Sequence, residues 1–228
     1  MYIGFIRHGE TDWSRVGKLQ GREDIPLNEH GRQQIHDLAQ ALQGGPWQSL
    51  YCSPLGRTRE SADILAAELQ LPRPQSLDAL VERDFGQASG LTTQERQQHF
   101  PDLIYPQMES NAAVQDRVRL AIHTISRQPL CWPAAEGRSE TEDSSQRAEA
   151  EVCPPRYILV VTHGGWLHEL SNLYDPGYAQ QWRQVRLKLA GFSLAELTED
   201  QLNFLCFNQS AAELNDGGWF QPWVRAQA

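Results

Sequence analysis

The sequence has no long hydrophobic run and no excess of positive charge. None of its apolar stretches approaches the roughly 20 residues that a membrane-spanning helix requires. The 20 Lys and Arg residues against 29 Asp and Glu residues give a net charge of −9, which argues against non-specific binding to nucleic acid. We therefore expect neither a membrane nor a nucleic-acid partner, and an anionic substrate must be held by local positive charge against the global field.

Signals for export and for disulfide pairing are also scarce. The amino-terminal MYIGFIRHGE has no basic residues ahead of its apolar stretch, which predicts a first strand and not a signal peptide. Four cysteines lie far apart without a CxxC pair, which favours free thiols in a reducing compartment and predicts a cytoplasmic location. The alternative for two of them is a disulfide between Cys131 and Cys153, which bracket an irregular segment.

The motifs of several enzyme classes are absent. Without GxSxG, a P-loop or GxGxxG, the serine hydrolase, nucleotide kinase and dinucleotide-binding interpretations lose support. The sequence contains no HExxH and no clustered Asp/His pattern, so we predict neither a metal nor another cofactor.

Two short runs predict strands of a largely parallel sheet. Tyr2–Ile6 and Tyr157–Thr162 are almost continuously apolar, as expected for strands that are covered on both faces. Between them, apolar residues at helical spacing predict a helix after the N-cap Asn28, another after a short strand at Leu50–Cys52, and a third that starts near Asn111. This alternation predicts an α/β fold with helices on both faces of the sheet.

The second half of the chain adds a hairpin and an irregular segment. Phe192–Leu197 and Leu202–Phe207 flank a polar turn and predict a closing hairpin, which makes the sheet mixed. Pro129–Arg156 contains 4 prolines, 6 acidic residues and no sustained apolar periodicity. It predicts a solvated surface insertion within one domain, with a lid over a site as the alternative.

Histidines follow both of the buried strands. Arg7 and His8 come directly after the first, in RHGET, and His163 follows the second, in THGG. In open α/β sheets, ligands bind where the carboxyl ends of the strands open into a crevice. The two imidazoles are therefore expected to face each other across one crevice, and the glycine after each allows a sharp turn and close approach of a ligand.

Two further segments add an arginine and a glutamate. Arg57, in SPLGRT, lies at the predicted start of a helix, where amide N–H groups favour an anion. Glu82, in LVERDFG, stands beside a glycine-containing turn. Each residue by itself would be weak evidence for a site.

Together these elements resemble the histidine phosphatase superfamily, also called the phosphoglycerate mutase-like family. RHG alone would occur by chance, but the ordered set of motifs is specific. The matching segments cover nearly the whole chain apart from the insertion; they are RHGET, LQGREDIPLNEHGRQQ, SPLGRTRESA, LVERDFGQASG, MES, VTHGG and FNQSAAEL. The resemblance implies a three-layer α/β/α sandwich with a mostly parallel mixed sheet, formed by a single domain over residues 1–228.

The resemblance also implies a mechanism. His8 would accept the phosphoryl group on a ring nitrogen, and Arg7 and Arg57 would depress its pKa and keep it neutral for the attack. The two arginines and His163 would hold the phosphate oxygens. Glu82 would protonate the leaving oxygen and then take a proton from the attacking water. The implied catalytic residues are thus His8, Glu82, His163, Arg7 and Arg57.

A wider set of substrate contacts is implied as well. It consists of Arg7, Thr11, Ser14, Gln20, Gly21, Arg57, Glu82 and the main chain of Gly164. Ser14 departs from the family, which often has Asn after RHGExxW. Serine is shorter but still donates a hydrogen bond, so phosphate binding should survive with altered geometry.

Three functions are considered for this chain. The first is a phosphatase acting on small phosphate monoesters, the second a phosphoglycerate mutase, and the third a non-catalytic module on the same fold. Phe85–Gln107 contains no lysine and only Arg96, so the carboxylate clamp of a mutase is hard to build there. Retention of all five catalytic residues argues against the third. The substrate stays open among sugar phosphates, nucleotide-pathway monoesters and the phosphorylated ribazole of cobalamin synthesis, and so does the oligomeric state.

Overall fold

The structure, a computed structural model, describes residues 1–127, 155–174, 187–199 and 201–217. The strands in these ranges are β1 (Tyr2–Arg7), β2 (Ser49–Cys52), β3 (Gln75–Ser76), β4 (Tyr157–Thr162), β5 (Phe192–Thr198) and β6 (Gln201–Gln209). The helices are α1 (Asp12–Arg15), α2 (Glu29–Leu42), α3 (Gly56–Glu68), α4 (Thr93–His99), α5 (Asn111–Arg127), α6 (Gly164–Tyr174) and α7 (Ala211–Gly217), with single 3-10 turns at Asp78–Leu80 and Gly86–Ala88.

The strands form one mixed sheet in the order β3-β2-β4-β1-β5-β6. β1, β2, β3 and β4 run parallel to one another, whereas β5 is antiparallel to β1 and to β6. The register of β1 and β4 runs from Tyr2 opposite Tyr157 to Arg7 opposite Thr162. The residues that follow these two strands, His8 and His163, therefore leave the sheet at the same edge.

Helices cover both faces of the sheet, because each face carries its own apolar cluster. On one face Phe5 and Val160 pack with Val118 of α5 and Trp166 of α6. On the other face the strands pack against α2, α3 and α7; this cluster includes Ile6, Val161, Ile35, Leu65 and Leu214. The predicted three-layer α/β/α architecture with a mixed sheet is thus confirmed.

Local signals placed several elements correctly. The side chain of Asn28 accepts a hydrogen bond of 2.8 Å from the Gly31 N–H at the start of α2, which satisfies one unpaired donor of the helix. α5 begins at Asn111 as predicted, and β5 and β6 form the closing hairpin.

The predicted insertion Pro129–Arg156 lies outside the described residues except for its last two positions. Arg156 donates hydrogen bonds of 2.7 Å and 3.0 Å to the carbonyls of Ser126 and Ile125, which are orphan acceptors at the end of α5. Cys131 and Cys153 also lie outside, whereas Cys52 and Cys206 are free thiols. Within the described ranges no helix has the length and apolar character that crossing a bilayer requires.

Candidate active site

A cavity of about 580 Å³ opens at the carboxyl ends of β1 and β4. Its volume lies in the range of pockets that take a whole small molecule. Eight of the sequence-predicted site residues line it; they are Arg7, His8, Ser14, Gln20, Gly21, Arg57, Glu82 and Gly164. Thr11 and His163 are fully buried and are not among the lining residues, but the ring of His163 packs against the ring of His8, which is one of them.

His8 is held in one tautomer by the main chain. Its Nδ1 lies 2.7 Å from the Gly9 carbonyl oxygen, which only accepts, so the proton resides on Nδ1 and the lone pair on Nε2. The turn that makes this contact needs glycine, since a Cβ on Gly9 would lie 2.4 Å from the Gly31 oxygen. Burial first, then the charges of Arg57 and Arg7, hold the pKa of His8 well below 6.5. His8 is therefore a neutral imidazole with a free nucleophilic nitrogen.

Both arginines donate hydrogen bonds to main-chain carbonyl oxygens. Arg57 is fully buried and donates to the Gly21 and Glu23 carbonyls at 2.8 Å and 2.7 Å. Burial lowers the pKa of Arg57 to about 10, so it keeps its charge at neutral pH. Arg7 donates to the Leu187 carbonyl at 2.5 Å. Both guanidinium groups line the cavity and keep their positive charge there, which makes it attractive to an anion.

The start of α3 differs from the expectation drawn from the sequence. Arg57 is the second residue of this helix, as predicted. The amide of Gly56, however, donates at 2.6 Å to the carboxylate of Asp24, which therefore caps this helix end. One amide of this helix end is therefore occupied by a carboxylate of the protein itself.

Glu82 is oriented by three backbone amides. Its Oε1 accepts hydrogen bonds from the N–H groups of Arg83 at 2.8 Å and Trp166 at 3.0 Å, and its Oε2 accepts from Gly165 at 3.0 Å. A Cβ on Gly165 would lie only 2.6 Å from Oε1. This role of Gly165 was not predicted from the sequence, although the glycine pair of THGG was its signal.

A partly buried arginine outside the predicted set supports the segment that carries Glu82. Arg117 of α5 donates to the Val81 carbonyl at 2.7 Å and makes two hydrogen bonds to Glu109. Glu109, the acidic residue of MES, also accepts from the Asp84 amide at 3.2 Å. These contacts tie the start of α5 to both sides of Glu82.

His163 packs against His8 and forms a hydrogen bond with a serine. The two ring centroids lie 5.3 Å apart at an interplanar angle of 61°. Burial, followed by the charges of Arg57, His8 and Arg7, lowers the pKa of His163 well below 6.5. Its Nε2 lies 2.8 Å from the Ser53 hydroxyl, and its buried Nδ1 has no hydrogen-bond partner within the described part of the chain. Ser53 belongs to the SPLGRT motif, but sequence reasoning gave it no role.

The remaining predicted contacts fall into two groups. Thr11 caps α1 by accepting from the Ser14 amide at 3.1 Å, so its hydroxyl serves the turn and not the cavity. Ser14 and Gln20 do reach the cavity. The buried Oε1 of Gln20 has no partner among the described residues.

Residues 3–130 match the family model of the histidine phosphatase superfamily (branch 1). The uncharacterized phosphatase PhoE of Bacillus subtilis is 30% identical over 206 residues, which cover 90% of this chain and 93% of that protein. Phosphoglycerate mutase-like protein 4 of Arabidopsis thaliana is 32% identical over 76% of this chain and 71% of its own length.

Solved structures share the fold. A mycobacterial glucosyl-3-phosphoglycerate phosphatase, determined with VO3, superimposes with a TM-score of 0.72 at 22% identity and covers 92% of this chain and 99% of its own. Phosphoserine phosphatase of Entamoeba histolytica gives a TM-score of 0.69 at 20% identity, over 91% and 96% of the two chains. The matched residues, the curated relatives and the fold agree, and the chain belongs to the histidine phosphatase superfamily.

Proposed function

We propose that the protein is a phosphatase that hydrolyses small phosphate monoesters through a phosphohistidine on His8. The observation that carries the proposal is the state of His8, a buried neutral imidazole whose Nδ1–H is bound to the Gly9 carbonyl. Its Nε2 keeps a lone pair, and the guanidinium groups of Arg7 and Arg57 lower its pKa from the same cavity. A nucleophile beside two cations suits attack on a phosphoryl group.

In the first half-reaction Nε2 of His8 attacks phosphorus, and the bond from phosphorus to the ester oxygen breaks. Arg7 and Arg57 bind the phosphoryl oxygens and stabilise their charge during the transfer. Glu82 gives its proton to the departing oxygen, so the product leaves as a neutral alcohol. The three amides around the Glu82 carboxyl group hold it in place and limit its rotation.

In the second half-reaction the same groups act in reverse. Glu82, now a carboxylate, takes a proton from water as the water oxygen attacks phosphorus. The bond from phosphorus to Nε2 breaks, and inorganic phosphate leaves. One phosphate monoester and one water are consumed, and His8 returns to its neutral form.

His163 is proposed to hold a phosphoryl oxygen through Nδ1. The Ser53 hydroxyl accepts from the Leu55 amide at 3.4 Å and is free to donate its proton to Nε2 of His163. This arrangement leaves the imidazole proton on Nδ1, the nitrogen without a described partner. Further contacts to the substrate are proposed for Ser14, Gln20, Gly21 and the main chain of Gly164, and for Thr11 through its support of Ser14.

Two variants test the assignment. His8→Ala removes the phosphoryl acceptor, so covalent labelling from a phosphorylated substrate and turnover should vanish together. Glu82→Gln cannot supply a proton, so phosphoryl transfer from alkyl phosphates should slow by about 10²–10⁴-fold. Transfer from 4-nitrophenyl phosphate should slow much less, because its leaving group is a stable anion. Equal losses in the transfer step on both substrates would exclude Glu82 as the proton donor.

A mutase is the second candidate, because one relative is named as phosphoglycerate mutase-like. Assays of phosphate release and of 3-phosphoglycerate isomerisation on the same preparation separate the two activities.

We further propose that residues 1–228 form one domain and that the protein acts in the cytoplasm. The first proposal rests on the sequence, which shows no domain boundary. The second rests on the four widely spaced cysteines, which form no CxxC pair.

A further inference from the structure

The cavity holds more positive charge than one phosphate group uses. Five cationic side chains and a single carboxylate, that of Glu82, line it among the described residues; the cations are Arg7, Lys18, Arg57, Arg83 and Arg96. This excess stands against a net charge of −9 for the whole chain. A local cluster opposed to the global field indicates a built anion site.

The cations differ in what they face. If the proposed function holds, Arg7 and Arg57 bind the phosphoryl group. Arg83 is already paired with a buried acid, since its Nη2 lies 2.6 Å from Oε1 of Glu169. Lys18 and Arg96 are therefore left for another part of the substrate.

Among the described residues, Arg96 donates hydrogen bonds only to neutral groups. It donates at 2.8 Å to the Leu91 carbonyl and at 3.0 Å to the Thr93 hydroxyl, and more weakly at 3.4 Å to the Gly17 carbonyl. These bonds fix the guanidinium in the wall without cancelling its charge. Because Gly17 adjoins Lys18, the bond from Arg96 to the Gly17 carbonyl links α4 to the segment that carries Lys18.

Lys18 forms no salt bridge within the described ranges. Its ammonium lies 5.6 Å from the centre of the Trp13 ring. The charge of Lys18 contributes to lowering the pKa of Glu95, but that carboxylate is bound by two hydrogen bonds of 2.7 Å from Thr92 and forms no salt bridge with Lys18. The ammonium of Lys18 is thus available to a ligand.

The cavity volume agrees with a substrate larger than a simple ester. About 580 Å³ exceeds what a phosphate group fills, and Leu19, Phe85 and Leu187 supply apolar wall for a carbon skeleton. We infer that the leaving alcohol carries a second anionic group, a carboxylate or a second phosphate, which Lys18 and Arg96 bind. This inference rests on the proposed phosphatase function and narrows its substrate class.

The inference is tested with pairs of substrates of equal chain length. Each pair consists of an n-alkyl phosphate and the same phosphate with a carboxylate at the far end of its chain. A parallel series carries a second phosphate at the far end in place of the carboxylate, so that the two anions can be distinguished. For at least one length, kcat/KM should be about 10-fold or more higher for the anionic member. In Lys18→Met this ratio should fall by roughly 10-fold, because one charged contact is lost.

Two further variants supply rescue and control. Lys18→Arg keeps the charge and should restore most of the ratio. Arg119→Met removes one positive charge from an exposed site on α5, outside the cavity wall, and should leave the ratio as in the unmodified chain. A loss in Lys18→Met that is equal for both members of a pair contradicts the inference, since general electrostatic steering predicts that result.

The inference and the proposed function fail in different ways. Turnover of alkyl phosphates without any preference for the anionic member overturns the inference and leaves the phosphatase in place. Absence of turnover for every phosphate monoester overturns both. A preference that survives in Lys18→Met and in Arg96→Met overturns the assignment of these residues.

Discussion

Replacing Gly165 with alanine should move the proton donor without touching its chemistry. The added Cβ would lie 2.6 Å from Oε1 of Glu82 and 3.2 Å from its carboxyl carbon. Restoring an ordinary 3.4 Å contact requires a shift of about 0.8 Å in the carboxylate. The bonds from Gly165 and Trp166, each 3.0 Å long, would then stretch toward or beyond hydrogen-bond length.

The expected cost is a loss in kcat of about 10²-fold for alkyl phosphates, which is typical of a catalytic group displaced by about 1 Å. Folding should be retained, because alanine is favoured over glycine within a helix by up to about 1 kcal/mol. Gly164→Ala is the matched control. Its Cβ would meet Arg7 at 3.4 Å, an ordinary contact, so its loss should be about threefold or less.

The assay compares an alkyl phosphate with 4-nitrophenyl phosphate in single-turnover kinetics, with unfolding measured on each variant. If Gly165→Ala acts through Glu82, the alkyl substrate suffers more, and the double variant with Glu82→Gln is little worse than Glu82→Gln alone. Additive losses in the double variant, or equal losses on the two substrates, would refute the reasoning.

Three further predictions concern pH, Ser53 and the insertion. The pKa values of His8 and His163 are lowered in the folded protein, so the unfolded chain binds more protons and the free energy of unfolding should fall as pH drops below about 6.5. These two groups should contribute up to about 2.7 kcal/mol per pH unit to the slope, to which His168 adds because burial lowers its pKa too, and His8→Gln should reduce the slope by about 1.4 kcal/mol per pH unit in denaturant titrations. Ser53→Ala deprives Nε2 of His163 of its partner and should lower kcat about 10-fold, with recovery in Ser53→Thr; unchanged kcat would remove Ser53 from the mechanism. Replacement of residues 129–154 by a short Gly/Ser linker, which keeps Arg156 and its hydrogen bonds to α5, should leave Tm and turnover nearly unchanged, whereas a large drop in turnover with folding intact would make the insertion a lid or a binding element.

Local sequence patterns determined the frame of this protein. Nearly continuous apolar runs predicted β1 and β4 because a strand covered on both faces needs apolar side chains at every position. The residue that follows each run, His8 or His163, then had to appear at the carboxyl edge of the sheet. Helix starts were equally local, since Asn28 meets its helix amide within three residues.

Contacts between distant segments could only be decided by the tertiary structure. Glu82 receives amides from residues 165 and 166, and Lys18 shares a cavity wall with Arg96. The hydrophobic periodicity of the sequence does not predict such pairings, because they depend on how the loops at one sheet edge fold over each other. Thr11 is an example of a side chain whose hydrogen-bond partner could not be predicted from its motif. Its place in RHGET suggested a phosphate contact, but its hydroxyl caps α1, a use that becomes visible only once the turn is built.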